Sequence, residues 1–110
     1  MLRPGEGESL FGGRIVLKSS FDQLTITESH FPDARDGADP HFHRRHVDSF
    51  YVLEGEVEFL QDGKWQRVAP GTFLSVPPNV EHGFRPAGTA IRLLNFHTPN
   101  VGFIGRLRED

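Results

Sequence analysis

Chain-reversal signals recur every six to twelve residues along most of this chain, and no stretch of ten or more residues shows helical periodicity. Glu54-Gly55, Asp62-Gly63, Pro70-Gly71, Pro77-Pro78-Asn79 and Pro86-Ala87-Gly88 each mark a turn. Gly and Asn tolerate the left-handed backbone that tight turns need, and Pro pre-sets the turn's φ. Asp-Gly between two apolar runs is a strong hairpin signal. The intervening runs are short and β-like. Residues 23–30 alternate, with Leu24 and Ile26 on one face and Thr25 and Thr27 on the other, as suits a half-buried strand. Residues 14–18, 49–53, 57–60, 65–68, 72–76, 82–85 and 91–97 read as further strands. Residues 31–40, with two Pro, one Gly and three Asp, read as a loop, and residues 102–110 as a short final helical turn. Seven to nine short strands predict an all-β sandwich or barrel. A barrel also removes the unpaired edges that so many short strands would otherwise expose.

A chain of 110 residues fits one domain, expected over residues 14–110. Residues 1–13 contain four Gly and one Pro and read as a flexible segment that orders only against a partner. The apolar complement is dominated by ten Phe, against one Trp and one Tyr. The formal charge of -3, with basic clusters no larger than Arg44-Arg45 and Arg106/Arg108, argues against a nucleic-acid surface. With no cysteine, disulfides, thiolate chemistry and Cys-based zinc sites are excluded. No run approaches the ~18 apolar residues of a membrane span. The first residues lack a basic-then-apolar leader pattern, so a cytoplasmic location is expected.

The chemistry-bearing residues cluster. His41 and His43 are two apart, so on an extended segment both side chains share a face. Two imidazoles on one face can occupy adjacent positions around a first-row transition metal. Asp48 lies five residues beyond His43, on the opposite face under strict alternation. A bend or bulge in residues 44–47 would return it to the same side. His82 follows the Pro77-Pro78-Asn79 turn on a strand that can lie opposite the first. By spacing alone a solvated basic loop over residues 43–46 accounts for the same histidines equally well.

Two motifs in register change that balance. His41-Phe42-His43, four residues, Asp48, six residues, Gly55 resembles the first motif of the cupin superfamily. Gly71, five residues, Pro77-Pro78-Asn79, two residues, His82 resembles the second. The segment from Ser49 to Glu56, SFYVLEGE, is also typical of that family. The resemblance implies a double-stranded β-helix, a jelly-roll barrel of two antiparallel sheets, in a small single-domain cupin. It implies a divalent transition metal (iron, manganese, nickel, copper or zinc) held by His41, His43, Asp48 and His82. It also implies a homodimer.

Four positions depart from the family pattern. Asp48 stands for Glu and is one methylene, about 1.5 Å, shorter, whereas metal–ligand distances tolerate only about ±0.2 Å. Asp48 therefore ligates only if its backbone sits closer, and His46 is the alternative fourth ligand. Asn79 stands for the turn Gly, Arg35 for an upstream Gly, and Pro86 for an Asn after the second motif.

If Asp48 points inward, so do Phe50 and Val52, and Phe84 shares the face of His82. These residues are expected to line an apolar pocket or to fill the core, with Asn95 and His97 near the metal and Phe42 pointing away. Phe103 and Ile104 are expected to close the barrel mouth or to pack on a second subunit. Three functions fit. The first is a metal-dependent oxidoreductase, dioxygenase-like, acting on a small molecule, for which an aromatic one would suit the Phe-lined pocket. The second is a Lewis-acid isomerase, lyase or hydrolase, with His97, His46 or Tyr51 as acid or base. The third is a non-catalytic barrel that binds a small ligand.

Overall fold

The computed structural model describes residues 1–33 and 37–109. Arg35 and Asp110 lie outside the described residues. Among the described residues, ten strands and one helix follow in order: β1 Glu8–Leu10, β2 Ile15–Phe21, β3 Leu24–Phe31, β4 Ala38–His41, β5 Val47–Glu54, β6 Val57–Gln61, β7 Lys64–Val68, β8 Phe73–Val76, β9 His82–Pro86, β10 Ile91–Thr98 and α1 Phe103–Glu109. They form a six-stranded sheet, β1-β2-β3-β10-β5-β8, and a four-stranded sheet, β4-β9-β6-β7. The strand pairs are antiparallel, and from β3 onward the chain passes repeatedly between the sheets, giving a jelly roll. No described helix is long and apolar enough to cross a membrane.

The turn chemistry accounts for the register. Asp62 and Gly63 both have positive φ, 53° and 75°, and join β6 to β7 with Gln61 opposite Lys64. That is the two-residue hairpin whose twist matches the flanking strands. Asn79, at φ 68°, occupies the left-handed position that the family fills with Gly. Its N–H donates to the His43 carbonyl at 2.6 Å, so this turn is tied to the histidine loop.

The core between the sheets is built from Phe31, Phe50, Val52, Val57, Phe59, Phe84, Ile91 and Leu93. Phe50, Phe59 and Phe84 pack with centroids 5.2–5.9 Å apart in tilted arrangements, which suit the ring quadrupoles. A second cluster joins Leu10 and Ile15 to Ile104 of α1, with Leu17, Phe103 and Leu107 against it.

Three expectations change here. Residues 8–10, expected to be flexible, form β1 paired with β2. Leu10 packs with Ile104, and Arg108 of α1 grips Glu8 through two guanidinium hydrogen bonds. Residues 38–40, expected in a loop, join His41 to form β4. Its Pro40 is tolerated because β4 is an edge strand with a register shift between Ala38 and His41. Val52 is core, not pocket: it is 1% exposed and packs deeper in the barrel than Phe50.

Gly55 has a φ of +77°, and an added Cβ would collide with the Ala90 carbonyl oxygen. Gly71 is similarly twisted, at +91°, but open to solvent. Gly55→Ala is therefore expected to cost about 2 kcal/mol or more, and Gly71→Ala about 1 kcal/mol. Urea denaturation of the two variants checks the order.

Candidate metal centre

The four motif residues reach one end of the barrel from three strands and one bend. His41 ends β4 and pairs with His82 at the start of β9. Asp48 is the second residue of β5 and lies opposite His97 of β10. His43 precedes a bend at residues 44 and 45, which interrupts the strand alternation. That bend brings His43 to the same side as Asp48.

The donor atoms converge. His41 Nε2 lies 3.1 Å from His43 Nε2. Asp48 Oδ2 lies 3.1 Å from His43 Nε2 and 3.0 Å from His82 Nε2. One donor atom from each of the four residues falls within 4.8 Å of the others. Ligand bonds of about 2.1 Å at right angles would put neighbouring donors about 3.0 Å apart, so the cluster has the dimensions of one coordination shell. Asp48 reaches it despite its length, and its side chain is only 4% exposed.

Backbone carbonyls fix two of the rings. His41 Nδ1 donates to the Asp39 carbonyl at 2.6 Å, and His82 Nδ1 to the Val80 carbonyl at 2.9 Å. A neutral imidazole carries one N–H, so both Nε2 atoms present lone pairs to the cluster. The His82 lone pair would then face a carboxylate oxygen, an arrangement that requires a cation or an extra proton between them. Three imidazole nitrogens and one carboxylate oxygen are an apt donor set for a divalent first-row metal.

Metal-free electrostatics tell the same story. Burial would raise the Asp48 pKa, but hydrogen bonds from His43, His82 and His97 hold it far below the usual carboxylate range. Burial opposes charge on His82, yet its bonds to Asp48 and Val80 prevail and its pKa is raised. Burial lowers the pKa of His41, and lowers that of His46 to about 4 with help from His97 and His43.

The other oxygen of Asp48 faces β10. Asn95 Nδ2 donates to Oδ1 and, at 3.0 Å, to the Ser49 carbonyl. His97 Nε2 lies 3.4 Å from Oδ1. His46 does not sit among the four donors. It stacks on His97 at 4.5 Å and on His43 at 4.2 Å, and belongs to a second group with Asp48 and His97.

A cavity of about 250 Å³ opens from the cluster. Phe31, Phe50 and Phe84 form an apolar wall, while His41, His43, Asp48, Asn95 and His97 supply the polar end. Phe42 is exposed. Tyr51 packs on Phe73, away from this cavity, and so offers it no acid or base. Two sets of lining residues escape the sequence reading. Thr27 and Ser29 line the cavity because the inward face of β3 is the hydroxyl face, not that of Leu24 and Ile26. Arg106 and Leu107 of α1 join Phe103, which was expected at the mouth, in covering it, while Ile104 packs on Leu10 and Ile15. The alternation separates the Thr25 and Thr27 face from that of Leu24 and Ile26 without marking which side points inward. Nothing local marks the second set.

A small barrel with a histidine-carboxylate cluster at its open end is the architecture of the cupins, and the chain belongs to that family: the cupin domain model matches residues 28–97. Quercetin 2,3-dioxygenase of Bacillus subtilis (strain 168) is 36% identical over 91 residues, covering 77% of this chain and 27% of that protein. The chain thus spans about a quarter of that relative's length. An RmlC-like cupin from Shewanella frigidimarina NCIMB 400 superposes with a TM-score of 0.79 at 25% identity, covering 91% of this chain and 90% of that one. KdgF from Halomonas sp. superposes with a TM-score of 0.74 at 22% identity, covering 83% and 85%.

The depressed His46 pKa has a sign that can be tested in metal-free protein. Its ordinary value is 6.5 and its folded value about 4. The unfolded chain takes the proton first, so stability is full above the ordinary value and falls as the pH drops toward the folded one. Between pH 7 and pH 5 this one group is expected to remove roughly 2 kcal/mol. His82, shifted upward, acts in the opposite direction. His46→Gln should therefore flatten the acid limb of urea midpoint against pH.

Proposed function

We propose that this chain is a metal-dependent cupin oxidoreductase with dioxygenase-like chemistry on a small aromatic molecule, its ion held by His41, His43, Asp48 and His82. The observation that carries the reading is a Phe-walled cavity ending on four convergent donors. The partial match to a quercetin dioxygenase supports the reaction class. Iron, manganese, nickel, copper and zinc all suit the donor set, and the redox-active ones suit the reaction. When bound, such an ion supplies Lewis acidity and, for a redox metal, access to dioxygen chemistry.

The chain's own residues have definable tasks. The carbonyls of Asp39 and Val80 orient His41 and His82 so that Nε2 faces inward. Asn95 fixes the Asp48 carboxylate. Phe31, Phe50 and Phe84 exclude water and offer ring faces to a substrate. An apolar cavity of about 150 Å³ accommodates benzene, so 250 Å³ gives room for a substituted ring. Phe103 and Leu107 shield the mouth. The reading includes a cytoplasmic homodimer. The exposed rings of Tyr51 and Phe73, with Phe96 beside them, give an outer face that supports self-association.

The test begins with metal content. Stoichiometric metal is expected, with a gain of about 2.7 kcal/mol in stability at a hundredfold excess of ion over Kd. His82→Ala should abolish that gain. Absence of both metal and thermal stabilisation with all five ions would overturn the reading. Dioxygen uptake with catechols and flavonols tests the reaction: metal binding without uptake would favour the Lewis-acid or ligand-binding alternatives.

A further inference from the structure

The jelly roll buries a second donor group beside the first. His46, Asp48 and His97 each place a ligand atom within 4.8 Å of the others, and all three side chains are buried. His46 Nε2 and His97 Nδ1 have no hydrogen-bond partner, although their residues are only 4% and 5% exposed. Leaving such an atom buried without a partner costs about 1–3 kcal/mol. Both residues belong to this one buried group of donors.

The surroundings narrow what such a group can hold. The orphan His46 Nε2 has almost no exposed surface, so an organic ligand has little means of touching it, whereas a small ion among the three side chains, reached by His97 through the Nε2 that faces Asp48, would give it a partner. The chemistry agrees: two imidazoles and one carboxylate form the triad that non-haem iron and related divalent ions occupy with positions left open. Asp48 has an oxygen for each side. Oδ2 faces His43 and His82, while Oδ1 faces His97 and Asn95. The path in is the cavity, which both His46 and His97 line.

We infer that His46, His97 and Asp48 Oδ1 form a second divalent-metal site, bridged through Asp48 to the four-donor site. The inference rests on the reading of the first site only through Asp48. The single negative charge of Asp48 then faces two dications, so the second ion binds more weakly than the first. A carboxylate shared by two metals is the arrangement that two-ion hydrolytic and redox centres employ at separations of about 3.5–4 Å.

Native mass spectrometry and calorimetry with manganese or zinc on metal-stripped protein test this. Two ions per chain are expected, the second at least tenfold weaker. His46→Gln and His97→Gln should each lose the weaker ion and keep the tighter one, and His82→Gln should lose the tighter one. If a single ion binds and survives both His46→Gln and His97→Gln, the second site does not exist. A single ion lost in those two variants but retained by His82→Gln would support this site and overturn the four-donor reading instead. Should the buried variants fail to fold by circular dichroism, anomalous scattering from manganese-soaked wild-type crystals decides: two peaks flanking Asp48 support the inference, and one peak overturns it.

Discussion

The carboxylate of Asp48 is the group on which this end of the barrel depends. A buried, unpaired carboxylate would be too costly to keep ionised. Here it is surrounded by hydrogen-bonding groups from three directions: His43 from the bend after β4, His82 from β9, and Asn95 and His97 from β10. β4 and β9 belong to one sheet and β5 and β10 to the other. The phenylalanine cluster joins the sheets by burial alone, which is non-directional. Asp48 joins them by directed contacts, and so sets how the open end of the barrel is arranged.

That division of labour explains why one barrel contains both a core and a cavity. Val52, Val57, Phe59 and Leu93 are buried in the apolar core and line no part of this cavity. Toward the cluster, Thr27 and Ser29 are too small and too polar to fill it, and a void remains. The void does not open fully to solvent because α1 returns across the mouth. Ile104 and Leu107 dock against Leu10, Ile15 and Leu17, and Arg108 pairs with Glu8. That exposed ion pair adds little stability. The apolar contact with β1 is what keeps the cover in place, so the first strand, remote in sequence, serves the cavity.

Much of this was legible in the sequence, because local chemistry dictated it. Asp62-Gly63 specifies its hairpin, and the spacing of His41, His43 and His82 survives folding because turns of fixed length separate them. Two kinds of feature were not legible. One is the packing of β1 on α1, which joins Leu10 to Ile104 across most of the chain with no pattern in either segment alone. The other is the choice of face in β3. Leu24 and Ile26 are the apolar side, yet Thr25, Thr27 and Ser29 point inward. Hydrophobicity failed as a guide there because the inner face borders a polar site. Val52 shows the converse: correctly placed on the inward face, it lies beyond Phe50 in the packed interior rather than beside the void.

The replacement of Glu by Asp at position 48 ties these observations together. A shorter acid draws its carboxylate back toward β5, so the donors must come to it. His43 does so because residues 44 and 45 bend and the Asn79 N–H anchors its carbonyl. The same retreat leaves Oδ1 within reach of Asn95 and His97 on the adjacent strand, directly across the β5–β10 pairing. His46 then fills the space behind, stacked between His43 and His97. A glutamate, one methylene longer, would carry its oxygens farther from β5 and from this contact with β10. The short acid and the two extra buried histidines thus form one unit, with one oxygen of Asp48 toward His43 and His82 and the other toward Asn95 and His97.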